Sequence, residues 1–275
     1  MYFTRDLDRS LFELRPDVVY GSAIFKSSRA MIARFCKQWP QAVIGGTGTD
    51  SHVQVEDITG SEHLGYDYTE QHVDYSIGFT SRGCRMRCGF CVVPQKEGQI
   101  RSVATIAELW RGPTHPKKLH LLDNDFFGQP DWRARIREIR EGGFRTCLSQ
   151  GINIRTATDE QAEALASIEY RSADFQRRRV YTAWDRLKDE KAFFQGVDRL
   201  EKAGIPAKSI MAYMLVGFDP AETWESIWIR FGKMVDRGIK PFVMVFDATR
   251  ADLKKFARWV NRGMYRFILW EEYQC

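Results

Sequence analysis

The sequence predicts an α/β fold organised around a parallel sheet. From residue 76 onward, short apolar runs alternate with amphipathic segments that carry legible helix caps. The apolar runs are nearly continuous, as expected of strands covered on both faces. Polar residues gather just past the ends of those runs, where parallel α/β sheets bind their ligands. Right-handed crossovers accommodate such units either in an open doubly wound sheet or in a curled, barrel-like one, and periodicity does not choose between them.

The elements follow in order. "PDVVYGSAIF" reads as a strand, "KSSRAMIARFCKQWP" as a helix and "QAVIGGTGT" as a strand ending in glycines, which together make a truncated Rossmann-like βαβ unit. "VIGGTGTD" superficially resembles a phosphate loop, but no helix follows in a G-x-G-x-x-G frame. Residues 53–74 are polar and acidic and read as a linker, so the expected domains are 1–74 and 75–275.

The second domain opens with the strand "YSIGFTS" (75–81). Thr105 and Glu108 have capping-box spacing, and Gly112 marks a stop. "KLHLLDND" (118–125) is the second strand, followed by a helix capped by Asp131 and ended by Gly142. "RTCLSQGINIR" (145–155) is the third, with Thr158 and Gln161 opening the next helix. "VYTAWD" (180–185) is the fourth; the helix behind it carries Leu187, Phe193, Val197 and Leu200 on one stripe and stops at Gly204. "SIMAYMLVGF" (209–218) is the fifth, followed by a helix lined by Trp224, Ile227, Trp228, Phe231 and Val235 that stops at Gly238. "FVMVFD" (242–247) is the sixth, before a last helix bearing Leu253, Phe256, Ala257 and Val260.

Composition narrows the class. The chain has 275 residues, enough to bury a sizeable core. It is 44% hydrophobic and 28% charged, which is ordinary for a globular protein, and 13% aromatic, which suits a deep pocket. No apolar run is long enough for a membrane helix, and "MYFTRDLDRS" lacks the order of a signal peptide, so a cytoplasmic, membrane-free protein is expected. A net charge of +5 permits nucleic acid as a partner without demanding it. "FQRRRV" and the arginine-rich helix 132–140 are the stretches that speak for it, against the blander reading of a solvated face.

Cysteine use is uneven. Cys36, Cys147 and Cys275 are scattered, which is no disulfide framework, whereas Cys84, Cys88 and Cys91 crowd into "SRGCRMRCGFC". Structural zinc wants four protein ligands, and His72, His115 and His120 are the nearest candidates for a fourth. A cubane iron–sulfur cluster also wants four thiolates. Three leave one iron open, and an open position is where a substrate or cofactor binds.

That stretch resembles the signature of the radical S-adenosylmethionine (SAM) superfamily: Cys-x3-Cys-x2-Cys after the first strand of a βα barrel, with an aromatic before the last cysteine. "IGFTSRGCRMRCGFC", "LLDNDFF", "SQGINIRTATDEQAEAL", "YTAWDRLKDE" and "YMLVGFD" are similar to the branch containing methylthiotransferases and cobalamin-dependent radical enzymes. The likeness spans about residues 70–260 and implies a partial six-stranded parallel (βα)6 barrel. It implies a 4Fe–4S cluster on Cys84, Cys88 and Cys91, with SAM chelated to the open iron and cleaved to a 5′-deoxyadenosyl radical that abstracts hydrogen from a substrate.

Residue by residue, the resemblance gives Phe90 to the adenine, Asp123 or Asn124 to the SAM amine and Arg155 to its carboxylate. It gives Asp185 to the ribose and the backbone at Gly217 to the adenine, with Gln150 beside them at the third strand end. Arg82, Arg85 and Arg87 would offset the cluster's negative charge. The family's fifth-strand glutamate has no counterpart at its usual place, where Pro220 stands; Glu222 lies two residues further on. A flavodoxin- or ferredoxin-like electron donor is the implied partner.

No second cysteine cluster is present, which argues against methylthiotransferase chemistry. The substrate is left open among a nucleotide, a nucleic-acid base, a peptide and a small metabolite. The first 74 residues resemble the latter half of a cobalamin-binding domain without its Asp-x-His-x-x-Gly stretch, so a cobalamin-dependent radical methyltransferase is one alternative. A zinc-containing nucleic-acid-binding protein is the other.

Overall fold

The computed structural model describes residues 16–51, 53–60, 68 and 72–274. Cys275 and the first ten residues, read above for targeting signals, lie outside them. The chain divides into two compact units, Met1–Leu64 and Gly65–Cys275, with the division inside the stretch read as a linker.

In the first unit, β1 (Tyr20–Ser22) and β2 (Val43–Gly45) pair in parallel across α1 (Arg29–Gln38), with Tyr20 opposite Val43. The strand expected over 16–25 is only three residues long. A short α2 (Val55–Thr59) follows. The glycines after β2 have a packing cause. A Cβ on Gly46 would meet the Ala23 carbonyl oxygen at 2.3 Å, and one on Gly48 the Phe25 carbonyl oxygen at 2.4 Å. The chain returns against the continuation of β1 too closely for any side chain.

The second unit begins with β3 (Ser76–Gly78), β4 (Ser81–Arg82), α3 (Val93–Lys96), β5 (Arg101–Ser102) and α4 (Ile106–Leu109). It continues through β6 (Lys118–Leu121), α5 (Trp132–Gly142), β7 (Arg145–Leu148), α6 (Asp159–Ala166), β8 (Glu169–Tyr170) and β9 (Val180–Ala183). It ends with α7 (Glu190–Lys202), β10 (Ile210–Val216), α8 (Trp224–Asp236), β11 (Lys240–Val245) and α9 (Ala251–Asn261). The result is a mixed α/β unit with parallel sheets. One sheet runs β3-β6-β7-β8 and another β9-β10-β11, each in chain order and parallel throughout. At the seam between them, the Ile152 N–H donates to the Tyr181 carbonyl at 2.8 Å and Thr182 Oγ1 donates to the Ile152 carbonyl.

Both expected capping boxes form, at Thr105 with Glu108 and at Thr158 with Gln161. Asp131 stands at the start of α5, but its side chain makes no capping bond. The helix expected up to Gly112 is a single turn, because Trp110 turns extended and Pro113 and Pro116 follow. The third strand ends at Leu148 rather than 155, where the Gly151 N–H bonds the Leu148 carbonyl in a turn. The sixth strand starts at Lys240, directly after the stop at Gly238.

Registers place Ile77, His120 and Cys147 on one side of the first sheet, and Tyr181 and Met211 together in the second. The opposite faces meet the helices. Strand β10 alternates, with Ile210, Ala212, Met214 and Val216 buried in the main core alongside Phe193, Val197, Met234 and Phe256. A second, smaller cluster joins Cys147, Phe175 and Tyr181, with Tyr75, Met211 and Tyr213 packed on it. Tyr75 stacks against both His120 and Phe175 at 5.4 Å, and Tyr181 against Tyr213 at 6.0 Å. Side chains from β7, β9 and β10 and from the segment leading into β3 therefore converge on one cluster.

Candidate functional site at the cysteine loop

The loop between β4 and α3 carries the three cysteines. Its start is a tight turn: Gly83 has φ +82°, and a Cβ there would meet the Gln99 carbonyl oxygen at 2.3 Å. The short antiparallel pair β4–β5 closes the base of the loop. Cys84, Cys88 and Cys91 are free and half-buried. The Met86 N–H points at Cys84 Sγ at 3.4 Å, and the Cys91 N–H bonds the Cys88 carbonyl at 3.0 Å.

The electrostatics place the thiols beside one another. Burial pushes Cys84 up to about 11; the Met86 N–H opposes this, while Asp125, Cys91 and Cys88 add to it. Burial likewise raises Cys91; the Val93 backbone opposes it, and Cys88, Glu97 and Asp185 contribute to the rise. Asp185, just past β9, is thus in the field of the last cysteine. Phe90 reaches further, with its ring 5.4 Å from Phe218 at the end of β10, and Phe218 packs on Phe246 at 4.9 Å. Phe218 and Phe246 are exposed.

Beneath the loop lies a buried polar network. Asp123 accepts from Thr80 N at 3.2 Å, Thr80 Oγ1 at 2.6 Å and Ser81 Oγ at 2.5 Å. Gln129 Nε2 donates to Thr80 Oγ1 at 2.9 Å and to the Phe126 carbonyl. Burial raises the Asp123 carboxyl although Ser81 and Thr80 pull it down. Both oxygens of Asp123 are thus occupied in holding the strand that leads into the loop. Asn124 Nδ2 donates to Glu97 Oε2 at 3.2 Å.

The loop arginines also have partners. Arg85 grips the buried Asp125 bidentately, Nε to Oδ2 at 2.7 Å and Nη2 to Oδ1 at 2.9 Å. Arg82 lies 3.4 Å from Glu97, whose Oε2 also accepts from Gly83 N. These pairs set the loop's position; only Arg87 is left exposed with no such carboxylate among the described residues.

Across the strand ends, Asp185 Oδ1 accepts from Leu215 N at 2.9 Å, and burial raises its carboxyl while Arg230 and Arg155 oppose the rise. Gly217 has φ +77°, and its N–H is taken by Glu222 Oε2 at 2.7 Å. Arg155 pairs with Asp189 at 2.8 Å and borders a cleft of about 390 Å³ lined by Thr156, Ala157, Thr158, Asp159 and Arg199. Gln150 is exposed in the turn after β7. Phe90 meets Phe218, which adjoins Gly217, and Asp185 lies in the field of Cys91. The polar ends of Asp123, Asn124 and Arg155 are directed into structural contacts.

Two residues that sequence reading missed organise the site. Glu97 gathers Arg82, Gly83 and Asn124; its one visible signal was an acid six residues beyond Cys91. Arg230, 1% exposed, donates through Nη1 to the carbonyls of Trp184, Asp185 and Leu215 and through Nη2 to Glu222. An arginine on the apolar stripe of a helix was the available clue.

Among the described residues, no three His, Cys, Asp or Glu side chains converge closely enough to hold a metal ion. Nor is any helix among them long and apolar enough to cross a membrane. The chain matches no protein-family model and no curated protein.

Proposed function

We propose that the second unit is a radical SAM enzyme. In this reading six of its seven parallel strands, all but the two-residue β8, form a partial (βα)6 barrel, and Cys84, Cys88 and Cys91 hold a 4Fe–4S cluster whose fourth iron takes S-adenosylmethionine. The observation that carries it is the donor set: three free, half-buried thiols on one loop, within one another's field, beside the ends of parallel strands.

The strand arrangement supports the barrel. The strands follow chain order in both sheets, a hydrogen bond bridges the seam, and Tyr75, Cys147, Tyr181 and Tyr213 face a common cluster. A sheet whose inner side chains meet in this way is curled rather than flat. The donor set also suits the cluster better than a single zinc ion. Zinc draws its donors onto one centre at about 2.3 Å, whereas a four-iron cube takes its thiolates at separate corners.

When bound, the cluster and SAM supply an electron and a cleavable sulfonium, giving methionine and a 5′-deoxyadenosyl radical. The chain's own residues hold and orient. The Met86 N–H stabilises Cys84 as thiolate, and the Arg85–Asp125 and Arg82–Glu97 pairs fix the loop. Phe90 and Phe218 offer an aromatic wall for a nucleobase. Asp185 offers a carboxylate to hydroxyls. A SAM carboxylate would have to compete with Asp189 for Arg155.

The test is anaerobic purification followed by iron and sulfide analysis and product chromatography after dithionite reduction with SAM. Four irons per chain and 5′-deoxyadenosine are expected, and both vanish in the Cys84→Ala/Cys88→Ala/Cys91→Ala protein. Zinc in place of iron, or an intact cluster that yields no 5′-deoxyadenosine, overturns the proposal.

A further inference from the structure

At the end of the second sheet opposite the cysteine loop, four cations come together. Arg179 immediately precedes β9, and Lys240 is the first residue of β11. Met211 pairs in register with both Tyr181 and Lys240. Side chains two apart share a face, so Arg179 lies on the same side as Tyr181 and hence as Lys240. Arg177 and Arg266 complete the group, the first from the loop before β9 and the second from the 3-10 turn Met264–Arg266.

Their bonding leaves the charge uncancelled. Arg179 Nη1 donates only to the backbone carbonyls of Lys208 and Ile210. Among the described residues, none of Arg177, Arg179, Lys240 and Arg266 makes an ion pair with a carboxylate. Asp174 is the nearby acid; its carboxylate is held by Ser172 Oγ and Gln176 N and forms no ion pair with any of the four, so one negative charge stands against four positive ones. Burial lowers Lys240, and Arg179, Arg266 and Arg177 lower it further, as mutual repulsion demands. Next to Arg266 stands Phe267, 83% exposed.

The other arginine-rich stretch, in α5, behaves differently. Arg133 pairs with Glu160, and Arg135 is buried against the Ala104 carbonyl and Glu138. Those two arginines are spent on the fold, while Arg137 and Arg140 stay exposed on that helix. The four cations at the start of β9–β11 pair with no carboxylate among the described residues, and like charges gathered with little counter-charge repel one another, a repulsion that a bound anion relieves.

We propose that this edge, formed by Arg177, Arg179, Lys240, Arg266 and Phe267, binds single-stranded nucleic acid. The cations take successive phosphates, and the exposed ring of Phe267 stacks on a base, the pairing of backbone charge with an aromatic platform that single strands require. A duplex hides its base faces and gains only the charge. An acidic polypeptide gains the charge without the stack. The surface lies at the strands' amino ends, so it grips a strand away from the cysteine loop and does not depend on that loop's chemistry.

The test is fluorescence anisotropy with a labelled 12-nucleotide single-stranded RNA across a salt series. Four phosphate contacts give a log–log salt slope of about −3, or roughly fifty-fold weaker binding between 50 and 200 mM salt. Arg177→Glu/Arg266→Glu, both exposed and checked for fold by circular dichroism, should at least halve the slope. Phe267→Ala should weaken binding by about 5- to 150-fold. The cysteine triple variant should bind as the parent does, which separates this proposal from the cluster reading. The proposal is overturned if the RNA does not bind at 50 mM salt or if the charge-reversed protein binds unchanged. It is equally overturned if a length-matched duplex or polyglutamate binds as well as the single strand while Phe267→Ala has no effect.

Discussion

Replacing Arg230 by methionine tests whether the strand ends opposite the cysteines are held by one buried charge. The guanidinium is 1% exposed and serves three carbonyls, those of Trp184, Asp185 and Leu215, at 2.8 to 3.2 Å. Its Nη2 serves Glu222, whose other oxygen holds Gly217 N. Methionine fills similar volume but leaves the Glu222 carboxylate buried without its cation. Breaking a buried pair from one side costs about 3–5 kcal/mol. For a unit of this size that corresponds to roughly 6–20 °C in Tm. The loss should also depend on pH. Burial already raises the Glu222 carboxyl, and without Arg230 the folded state binds its proton still more tightly. A folded-state pKa above the unfolded one contributes stability at low pH that is lost as pH rises through it, so the penalty should be larger at pH 8 than at pH 5.5. Urea titrations followed by circular dichroism at the two pH values give both numbers. Adding Glu222→Leu should recover part of the loss. A cost below about 1 kcal/mol for Arg230→Met at pH 8 would refute the reasoning, since it would mean that the carbonyls and the carboxylate are satisfied without the arginine.

Gly83→Ala forces a side chain into a left-handed turn against the Gln99 carbonyl oxygen; a loss of about 1–3 kcal/mol is expected in thermal unfolding, and a neutral result would show that the loop relaxes freely. Asp123→Asn removes a buried carboxylate whose pKa is raised by burial, so the parent should gain on the variant as pH falls from 8 to 5, read as urea midpoints at each pH; a constant difference would contradict the raised pKa. Cys147, 0% exposed and pushed up to about 12, should resist iodoacetamide in the folded protein while Cys84 and Cys88 react in metal-free protein, as peptide mass spectrometry will read; labelling of Cys147 at the same rate would contradict its burial.

The elements that sequence made visible are those whose signal is local. Thr105 with Glu108 and Thr158 with Gln161 announce helix starts through side chain to backbone bonds that span three residues, and both bonds form. The nearly continuous apolar runs at 180–183 and 210–216 mark strands because both faces are covered. Boundaries were less legible. Nothing local in "RTCLSQGINIR" distinguishes a strand through Arg155 from one ending at Leu148; the turn is set by Gly151 closing back on Leu148 and by Ile152 bonding Tyr181 on another strand. The two-residue β8 was not foreseen for the same reason, since its pairing with β7 is long-range.

The site divides along the same line. Thiol spacing is a property of eight residues, so Cys84, Cys88 and Cys91 stand out in the sequence. The commitments of the polar residues are not local properties. Asp123 reads as an available strand-end carboxylate until Thr80, Ser81 and Gln129 fold around it and occupy its oxygens. Arg155 reads as a carboxylate clamp until Asp189, 34 positions along the chain, takes it. Arg230 draws no notice in the sequence although it lies on the apolar stripe of its helix, and it is among the largest side chains wholly buried. These three cases have one physical root. A buried charged group must find its partner within the fold, and a strand end gathers partners from segments distant in sequence. The residues with the strongest structural obligations are therefore the ones whose sequence context misleads most. The groups that folding does not consume are the three cysteine thiols, the Phe90–Phe218 wall and the Asp185 oxygen that Leu215 leaves free, and these are what the proposed chemistry has to draw on.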